Sequence, residues 1–274
     1  MIRSHIQLPQ WIMKNFQDKA TGKIPYLGLA NLNIGQSGVK KLGVQEDYFS
    51  ADGEAFLCAN IEKPLSALRD KVLSFINGTN ETVEIPAEDE QLLRQYFYSA
   101  TSRSKAALDS LKMHSAISQF MPEQVNHDTL IENAYTLSDS SDNLVREYIM
   151  GAYVNTTDTE FVVPRNCYYT LPQEPAAQCI VMPITPTIAL GLFPPCFIEQ
   201  HPLFTYHRIQ IVKDVSVAEI MNTHALLYEY VMNNEFVIGR QKKELERLIQ
   251  CLHDNRQDFE KEKNKFRLRN SNEQ

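Results

Sequence analysis

SHIQLPQWIMKNF, residues 4–16, is the stretch around which we expect the rest of the fold to be organised. It contains the only tryptophan of the chain, Trp11, together with an early histidine, His5, and Pro9 four residues later. We expect it to pack against a proline-rich β segment some 150 residues further along the chain.

Strands are predicted on both sides of the middle of the chain. Residues 24–32 and 39–44 have strand-like composition and are separated by a turn rich in Gly and Ser, which predicts a β-hairpin. Residues 161–197 are rich in Val, Ile and Tyr and contain seven prolines. Because proline cannot donate a ladder hydrogen bond, this region is predicted to form short or edge strands. Further short strands are predicted over residues 207–212 and 236–238.

Helical spacing of apolar residues is found over residues 62–77, 87–121, 128–154 and 217–232, and from residue 241 onward. The last helix carries a narrow apolar seam, in which every seventh residue is apolar: Leu245, Leu252, Phe259 and Phe266. Such a seam predicts a helix that docks on its own domain or on a partner helix, the second case being a homodimer.

The sequence therefore predicts an α+β fold. A mixed or antiparallel sheet, made of the N-terminal hairpin and the proline-rich C-terminal strands, is expected to pack against long central helices, with a C-terminal amphipathic helix. We expect a single domain over residues 1–239, the amphipathic helix over residues 240–270 packed on that domain or on a partner, and a disordered tail over residues 271–274.

Composition favours an ordinary globular protein, with 43% hydrophobic and 22% charged residues. The net charge is −7, which argues against a surface built as a whole to attract nucleic acid, although residues 240–270 carry a local excess of four basic groups. The five cysteines are far apart and lack zinc or disulfide spacing, which is typical of reduced thiols in a cytoplasmic protein. No signal peptide, membrane span, metal-binding motif or cofactor-binding motif is predicted.

Several separated motifs resemble one protein family. The pattern H-x-x-x-P-Q-W-x-x-K-N-F opens the chain at residue 5, and it is followed by Arg103-Ser104, by FVVPRN at residues 161–166, by IVMPITP at residues 180–186, and by Asn222 ahead of FVI at residues 236–238. In order and spacing, over roughly residues 4–248, these motifs resemble the bacterial and phage domain-of-unknown-function family numbered four-two-three-eight.

The chain departs from that family pattern at two positions. Arg165 stands where the family usually has Asp, and Lys105 where it usually has Pro. A metal-binding or basic role of that Asp would therefore be missing from this chain. The family has no established activity, and its occurrence in bacterial and mobile-element genomes implies a defence or toxin-like role.

Six polar residues are predicted to line one cleft, namely His5, Tyr48, Arg103, Arg165, Asn166 and Asn222. His5 is either a general acid–base, since imidazole titrates near neutral pH, or a structural residue that bonds the turn at Pro9. Arg103 is either an anion clamp or half of a buried ion pair. The other four are predicted ligand-binding residues, and Arg165 and Asn166 follow a strand, where binding residues are common.

Two further patterns are weaker. His127-Asp128 and His253-Asp254 resemble the dyads of metal-dependent phosphohydrolases, but further ligands at helical spacing are missing. Arg247 and His253 have the Arg-to-His spacing of HEPN ribonucleases, with Leu248 in place of a polar residue. Such spacings arise easily by chance in a charged helix.

Two functions remain open at this point. The first is a defence or toxin-type effector that acts on a phosphate-containing substrate such as nucleic acid without metal, with His5 and Arg103 as catalytic residues. The second is a non-catalytic module that binds a protein or a small anionic ligand and self-associates through its C-terminal helix.

Overall fold

The computed structural model describes residues 3–5, 8–46, 49–78, 82–102, 128, 148–171, 179–194, 208–214 and 217–272. The chain divides into two compact units, and each is assembled from three separate segments. The first unit consists of Met1–Pro9, Gly43–Ala152 and Leu192–Val212, and the second of Gln10–Leu42, Tyr153–Gly191 and Lys213–Gln274.

Twelve strands occur in the described residues. In chain order they are β1 (Arg3–His5), β2 (Ile24–Gly28), β3 (Asn33–Ser37), β4 (Val44–Glu46), β5 (Thr82–Glu84), β6 (Ile149–Asn155), β7 (Val163–Pro164), β8 (Tyr169–Leu171), β9 (Cys179–Thr185), β10 (Ile188–Phe193), β11 (Arg208–Asp214) and β12 (Phe236–Ile238). Their hydrogen-bonded orders are β1-β4, β5-β11-β6-β10-β9-β8 and β3-β2-β12-β7.

The described residues also form seven α-helices and one π-helical turn, Cys58–Glu62. The helices are α1 (Gln10–Asn15), α2 (Ala51–Leu57), α3 (Lys63–Gly78), α4 (Ala87–Ser102), α5 (Val217–Met232), α6 (Lys242–Asp254) and α7 (Arg256–Asn272). The α+β prediction is confirmed. The proline-rich strands are divided between two sheets. β7 pairs with β12 in the four-stranded sheet that also contains the N-terminal hairpin, whereas β8, β9 and β10 lie in the six-stranded sheet.

The predicted hairpin is present, but its second strand begins earlier than expected. β2 pairs antiparallel with β3, from Ile24 opposite Ser37 to Gly28 opposite Asn33. The turn is closed early because the side-chain oxygen of Asn31 accepts a hydrogen bond from the backbone N–H of Asn33 at 3.2 Å. Residues 39–43, predicted as strand, form a turn instead.

Residues 149–155 are a strand, so the predicted helix over residues 128–154 is wrong at its end. The segment IMGAYVN contains β-branched and aromatic residues, which favour strands, and its short apolar run does not distinguish a buried strand from a buried helix. The residues between 129 and 147 lie outside the described residues.

Helix α5 organises the core of the second unit. Its buried residues recur at three- and four-residue spacing: Ala218, Met221, Asn222, Ala225, Leu226, Glu229 and Tyr230. The apolar members pack with Val162, Tyr169 and Val237 in one hydrophobic cluster. The seam residues Leu245, Leu252 and Phe259, together with the neighbouring Leu248, belong to the same cluster, so the seam packs on its own unit at these positions.

The C-terminal region is two helices rather than one. α6 ends at Asp254, and α7 begins at Arg256 after Asn255, whose side-chain amide donates to the backbone oxygen of Cys251 at 2.9 Å. α7 continues to Asn272, two residues into the segment predicted as a tail. Cys58 and Cys251 are free thiols, while Cys196 lies outside the described residues.

In the first unit, Asp128 has a structural role. Its carboxylate accepts hydrogen bonds from the backbone N–H of Ser50 at 3.3 and 3.2 Å. Ser50 in turn caps α2, since its hydroxyl accepts from the Gly53 N–H at 3.0 Å. A Cβ on Gly53 would lie 2.0 Å from the Asp128 carboxylate, so glycine is required for this contact.

Candidate functional site

The predicted site residues fall in different parts of the chain. Tyr48 and Arg103 lie outside the described residues, and His5 belongs to β1, where its backbone pairs opposite Val44. Arg165, Asn166 and Asn222 lie in the second unit. The convergence of His5 and Arg103 therefore stays a prediction, whereas the three residues of the second unit can be described in detail.

Arg165 is engaged in structural pairing. Its guanidinium forms an ion pair with Glu235, and its backbone N–H donates to the Glu229 carboxylate at 3.1 Å. Its backbone N–H also donates to the backbone oxygen of Phe236 at 3.2 Å. These contacts join the turn after β7 to the last turn of α5 and to the start of β12.

Asn222 serves the backbone of a neighbouring segment. Its side-chain oxygen accepts from the Val162 N–H at 2.9 Å, and its side-chain nitrogen donates to the backbone oxygen of Glu160 at 2.7 Å. Only 5% of Asn222 is exposed. The amide therefore supplies the donor and acceptor that an adjacent strand would supply.

Asn166 is the predicted site residue with unused hydrogen-bonding capacity. It is 1% exposed, and among the described residues neither its side-chain nitrogen nor its oxygen has a hydrogen-bond partner. Burial raises the pKa of Tyr228, and interactions with Tyr168 and Asn166 oppose this rise. The Asn166 amide therefore lies beside the Tyr228 hydroxyl.

Glu229, which the sequence-based site did not include, is a fully buried carboxylate at the centre of this region. It accepts hydrogen bonds from the Arg165 N–H at 3.1 Å, the Asn233 side chain at 3.1 Å and the Glu235 N–H at 3.3 Å. Burial raises its pKa to about 7, and these hydrogen bonds oppose the rise. Glu229 lies on the buried face of α5, seven residues after Asn222. This helical spacing is the feature of the sequence from which its burial could have been predicted.

A second polar cluster joins the start of α6 to residues 158–160. Glu160, 5% exposed, accepts hydrogen bonds from Arg240 and from the Gln241 side chain. Arg247 donates to Thr159 at 3.1 Å and pairs with the buried Glu244 at 3.0 Å. Arg247 therefore has a structural role of its own, and the HEPN-like spacing gains no support from its contacts.

The Tyr230 pocket is a cavity of about 230 Å³ that lies within the second unit. It is lined by Leu29, Ala30, Leu32, Tyr230, Asn234, Leu252, His253, Arg256 and Lys263. Two of these residues, Leu32 and Asn234, have left-handed backbones with φ of 53° and 55°. The turns that carry them are joined by a hydrogen bond of 2.8 Å from the Leu29 N–H to the backbone oxygen of Glu235.

The pocket has an uneven charge distribution. The Lys263 ammonium lies 4.2 Å from the centre of the Tyr230 ring, and the Tyr230 hydroxyl donates to the Glu260 carboxylate. Among the described residues neither Lys263 nor Arg256 has a carboxylate within ion-pair distance. Burial lowers the pKa of Lys263, an effect that Glu260 opposes and Arg267 reinforces.

Comparisons with protein-family models, with curated proteins and with solved structures found no match to this chain. None of the helices in the described ranges is both long and apolar enough to cross a membrane. Within the part of the chain that the structure describes, no group of three or more His, Cys, Asp or Glu side chains is arranged to hold a metal ion.

Proposed function

We propose that the protein is a binding module that takes a small anionic molecule into the Tyr230 pocket. The observation that carries this proposal is the placement of Arg256, Lys263 and His253 around one cavity, with Arg256 and Lys263 lacking a carboxylate partner among the described residues. A partly desolvated ammonium that has no carboxylate within ion-pair distance is stabilised when an anion binds beside it. The cavity is therefore electrostatically suited to an anion.

The other residues of the pocket support a preformed site. Asn234 can donate a hydrogen bond from its side chain, and its backbone N–H donates to the backbone oxygen of Glu229 at 2.7 Å, which holds the turn in place. Tyr230 is held by Glu260 on one side and Lys263 on the other. A rigid wall lowers the conformational entropy lost on binding.

The effector function stays a prediction, as do its defence or toxin context, the family resemblance and a cytoplasmic location. His5 and Arg103 would carry that function, and neither side chain is described. Self-association through the C-terminal helices also stays a prediction. The burial of Leu245, Leu252 and Phe259 within their own unit supports the binding module without requiring a second copy.

The proposal is tested by titrating the full chain at low salt with benzoate, phenyl phosphate and inorganic phosphate, followed by NMR chemical shifts. We expect Lys263→Gln to weaken binding of the best anion about tenfold, because a charge-assisted hydrogen bond contributes about 1.5–3 kcal/mol. Arg256→Gln should weaken it less, since Arg256 is exposed. Lys261→Gln is the matched control, an exposed lysine of α7 that does not line the pocket.

Binding of none of the three anions would contradict the proposal. So would equal binding by Lys263→Gln and Lys261→Gln, because a general attraction of anions to the basic helix does not depend on which lysine is removed. The folded state of each variant is checked by circular dichroism.

A further inference from the structure

We infer that the ligand of the Tyr230 pocket is a small monoanionic carboxylate with a compact apolar body, such as an aryl or short-chain alkyl carboxylate. This inference rests on the proposed function and specifies the class of ligand. It is drawn from the way in which the apolar and cationic residues are separated within the cavity, from the local charge balance and from the size of the cavity.

The apolar residues come from one hairpin turn and one helix. Leu29 and Leu252 are buried at 4% and 5% exposure, and Leu32 is 38% exposed. The charged residues Arg256 and Lys263 belong to α7, and His253 lies at the end of α6. A ligand that fills this cavity therefore meets leucine side chains and cations at once, which suits a molecule with a charged group attached to an apolar body.

Leu32 combines two unfavourable features. Its φ of 53° lies in the left-handed region, which non-glycine residues other than Asn and Asp rarely adopt. Its side chain is also one of the three exposed large hydrophobic groups among the described residues. An apolar ligand body lying against Leu32 would remove this side chain from water, whereas an inorganic anion would leave it exposed.

The charges on the residues that line the pocket, together with the hydrogen-bond partner of Tyr230, favour one negative charge on the ligand. Arg256 and Lys263 contribute two positive charges, and the nearby Glu260 carboxylate, bonded to Tyr230, contributes one negative charge. A monoanion neutralises the remainder, whereas a phosphate dianion would exceed it. The cavity of about 230 Å³ is also smaller than the range of about 300–1,000 Å³ typical of drug-sized ligand sites.

The test compares acetate with benzoate on the full chain and on two variants, by the same NMR titration. We expect benzoate to bind at least about tenfold more tightly than acetate, because each buried methylene-sized group contributes about 0.8 kcal/mol, equivalent to about fourfold in affinity. Leu32→Asn should reduce this preference to less than about threefold. Asn tolerates the left-handed backbone, so this variant keeps its fold.

Ile220→Gln is the control, an exposed apolar residue of α5 outside the pocket, and it should keep the full preference. Equal affinity for acetate and benzoate, or a preference that Leu32→Asn leaves unchanged, would overturn the inference. If the Lys263→Gln effect is still observed in that case, the proposed function stands. If inorganic phosphate binds most tightly, the monoanion assignment is wrong, and if no anion binds, both proposals fail.

Discussion

At the scale of single residues, buried amides and carboxylates in the second unit make hydrogen bonds to backbone groups that elsewhere are bonded by backbone pairing. The Asn222 side chain bonds the backbone of residues 160 and 162 as a neighbouring strand would. The Glu229 carboxylate accepts hydrogen bonds from three donors in two turns. Each group is stable in the interior only because its hydrogen bonds are made. Substitution of these residues is therefore expected to lower the stability of the fold, even in the absence of a ligand.

Asn222→Ala tests this expectation. The change leaves the Val162 N–H and the Glu160 carbonyl without the partner that they have now, and an unmade hydrogen bond of a buried group costs about 1–3 kcal/mol. We expect the free energy of unfolding to fall by about 2–4 kcal/mol in urea denaturation. Thr223→Ala, on the same helix, is the control and should change stability by less than about 1 kcal/mol, because the Thr223 hydroxyl bonds only to its own helix and to Cys251.

A normal stability of Asn222→Ala, combined with loss of ligand binding, would instead favour the ligand-binding role that the sequence predicts for Asn222. The two roles are separable because a ligand contact affects the bound state alone, whereas a backbone bridge affects folding in the absence of ligand.

At the scale of elements, prediction succeeded where a local pattern is long and regular. α5 has the predicted bounds, residues 217–232, because its apolar period extends over four turns, and β12 has its predicted bounds because turn residues flank it. Prediction failed where a side chain alters the local geometry. The Asn31 side chain ends the hairpin turn early, and Asn255 divides the predicted C-terminal helix in two. Such capping bonds depend on conformation rather than on composition.

The apolar seam of α6 is the element whose role can be tested most directly. Leu245 is fully buried in its own unit, so Leu245→Ala should lower the free energy of unfolding by about 2–5 kcal/mol through the cavity it leaves. Leu268→Ala is the matched control, because Leu268 is 62% exposed on α7, and it should cost less than about 0.5 kcal/mol. Light scattering on both variants measures the oligomeric state.

If the seam instead holds two copies together, Leu245→Ala would shift the protein from dimer to monomer with little loss of stability within the monomer. That result would support the homodimer prediction and would contradict the packing of the seam on its own unit.

At the scale of the whole molecule, the candidate site could not be predicted from the sequence because its residues are far apart in the chain. Each unit is assembled from three separate segments, and the Tyr230 pocket brings together residues 29–32, 230–234 and 252–263. Single-sequence periodicity describes neighbours in the chain, so it predicted the helices and several strands that carry these residues. It does not indicate that a hairpin turn and three helices about 200 residues further along the chain form one cavity.

The dependence of the free energy of unfolding on pH is a property of the whole folding equilibrium. We expect Glu229 to make the main contribution to it. Burial raises its pKa from 4.5 to about 7, so between these values the folded state binds more protons than the unfolded state. The free energy of unfolding therefore falls as pH rises through this window and levels off above about pH 7. At about 1.4 kcal/mol per pH unit, the full effect is about 3 kcal/mol.

The contribution of Glu229 is isolated by comparing the wild type with Glu229→Gln in urea denaturation at pH 5, 6, 7 and 8. The constant difference in the free energy of unfolding between wild type and variant is not the readout. Gln places an N–H donor among three donors, and this substitution destabilises the folded state at every pH. The readout is the slope, and the difference between wild type and variant should change by about 3 kcal/mol across the range. Burial lowers the pKa of His224, so His224 makes the free energy of unfolding rise with pH. This contribution is the same in both proteins and therefore cancels in their difference. Glu219→Gln, an exposed position of α5, should keep the wild-type slope. Parallel curves for wild type and Glu229→Gln would mean that the three hydrogen bonds outweigh burial and keep Glu229 ionised throughout.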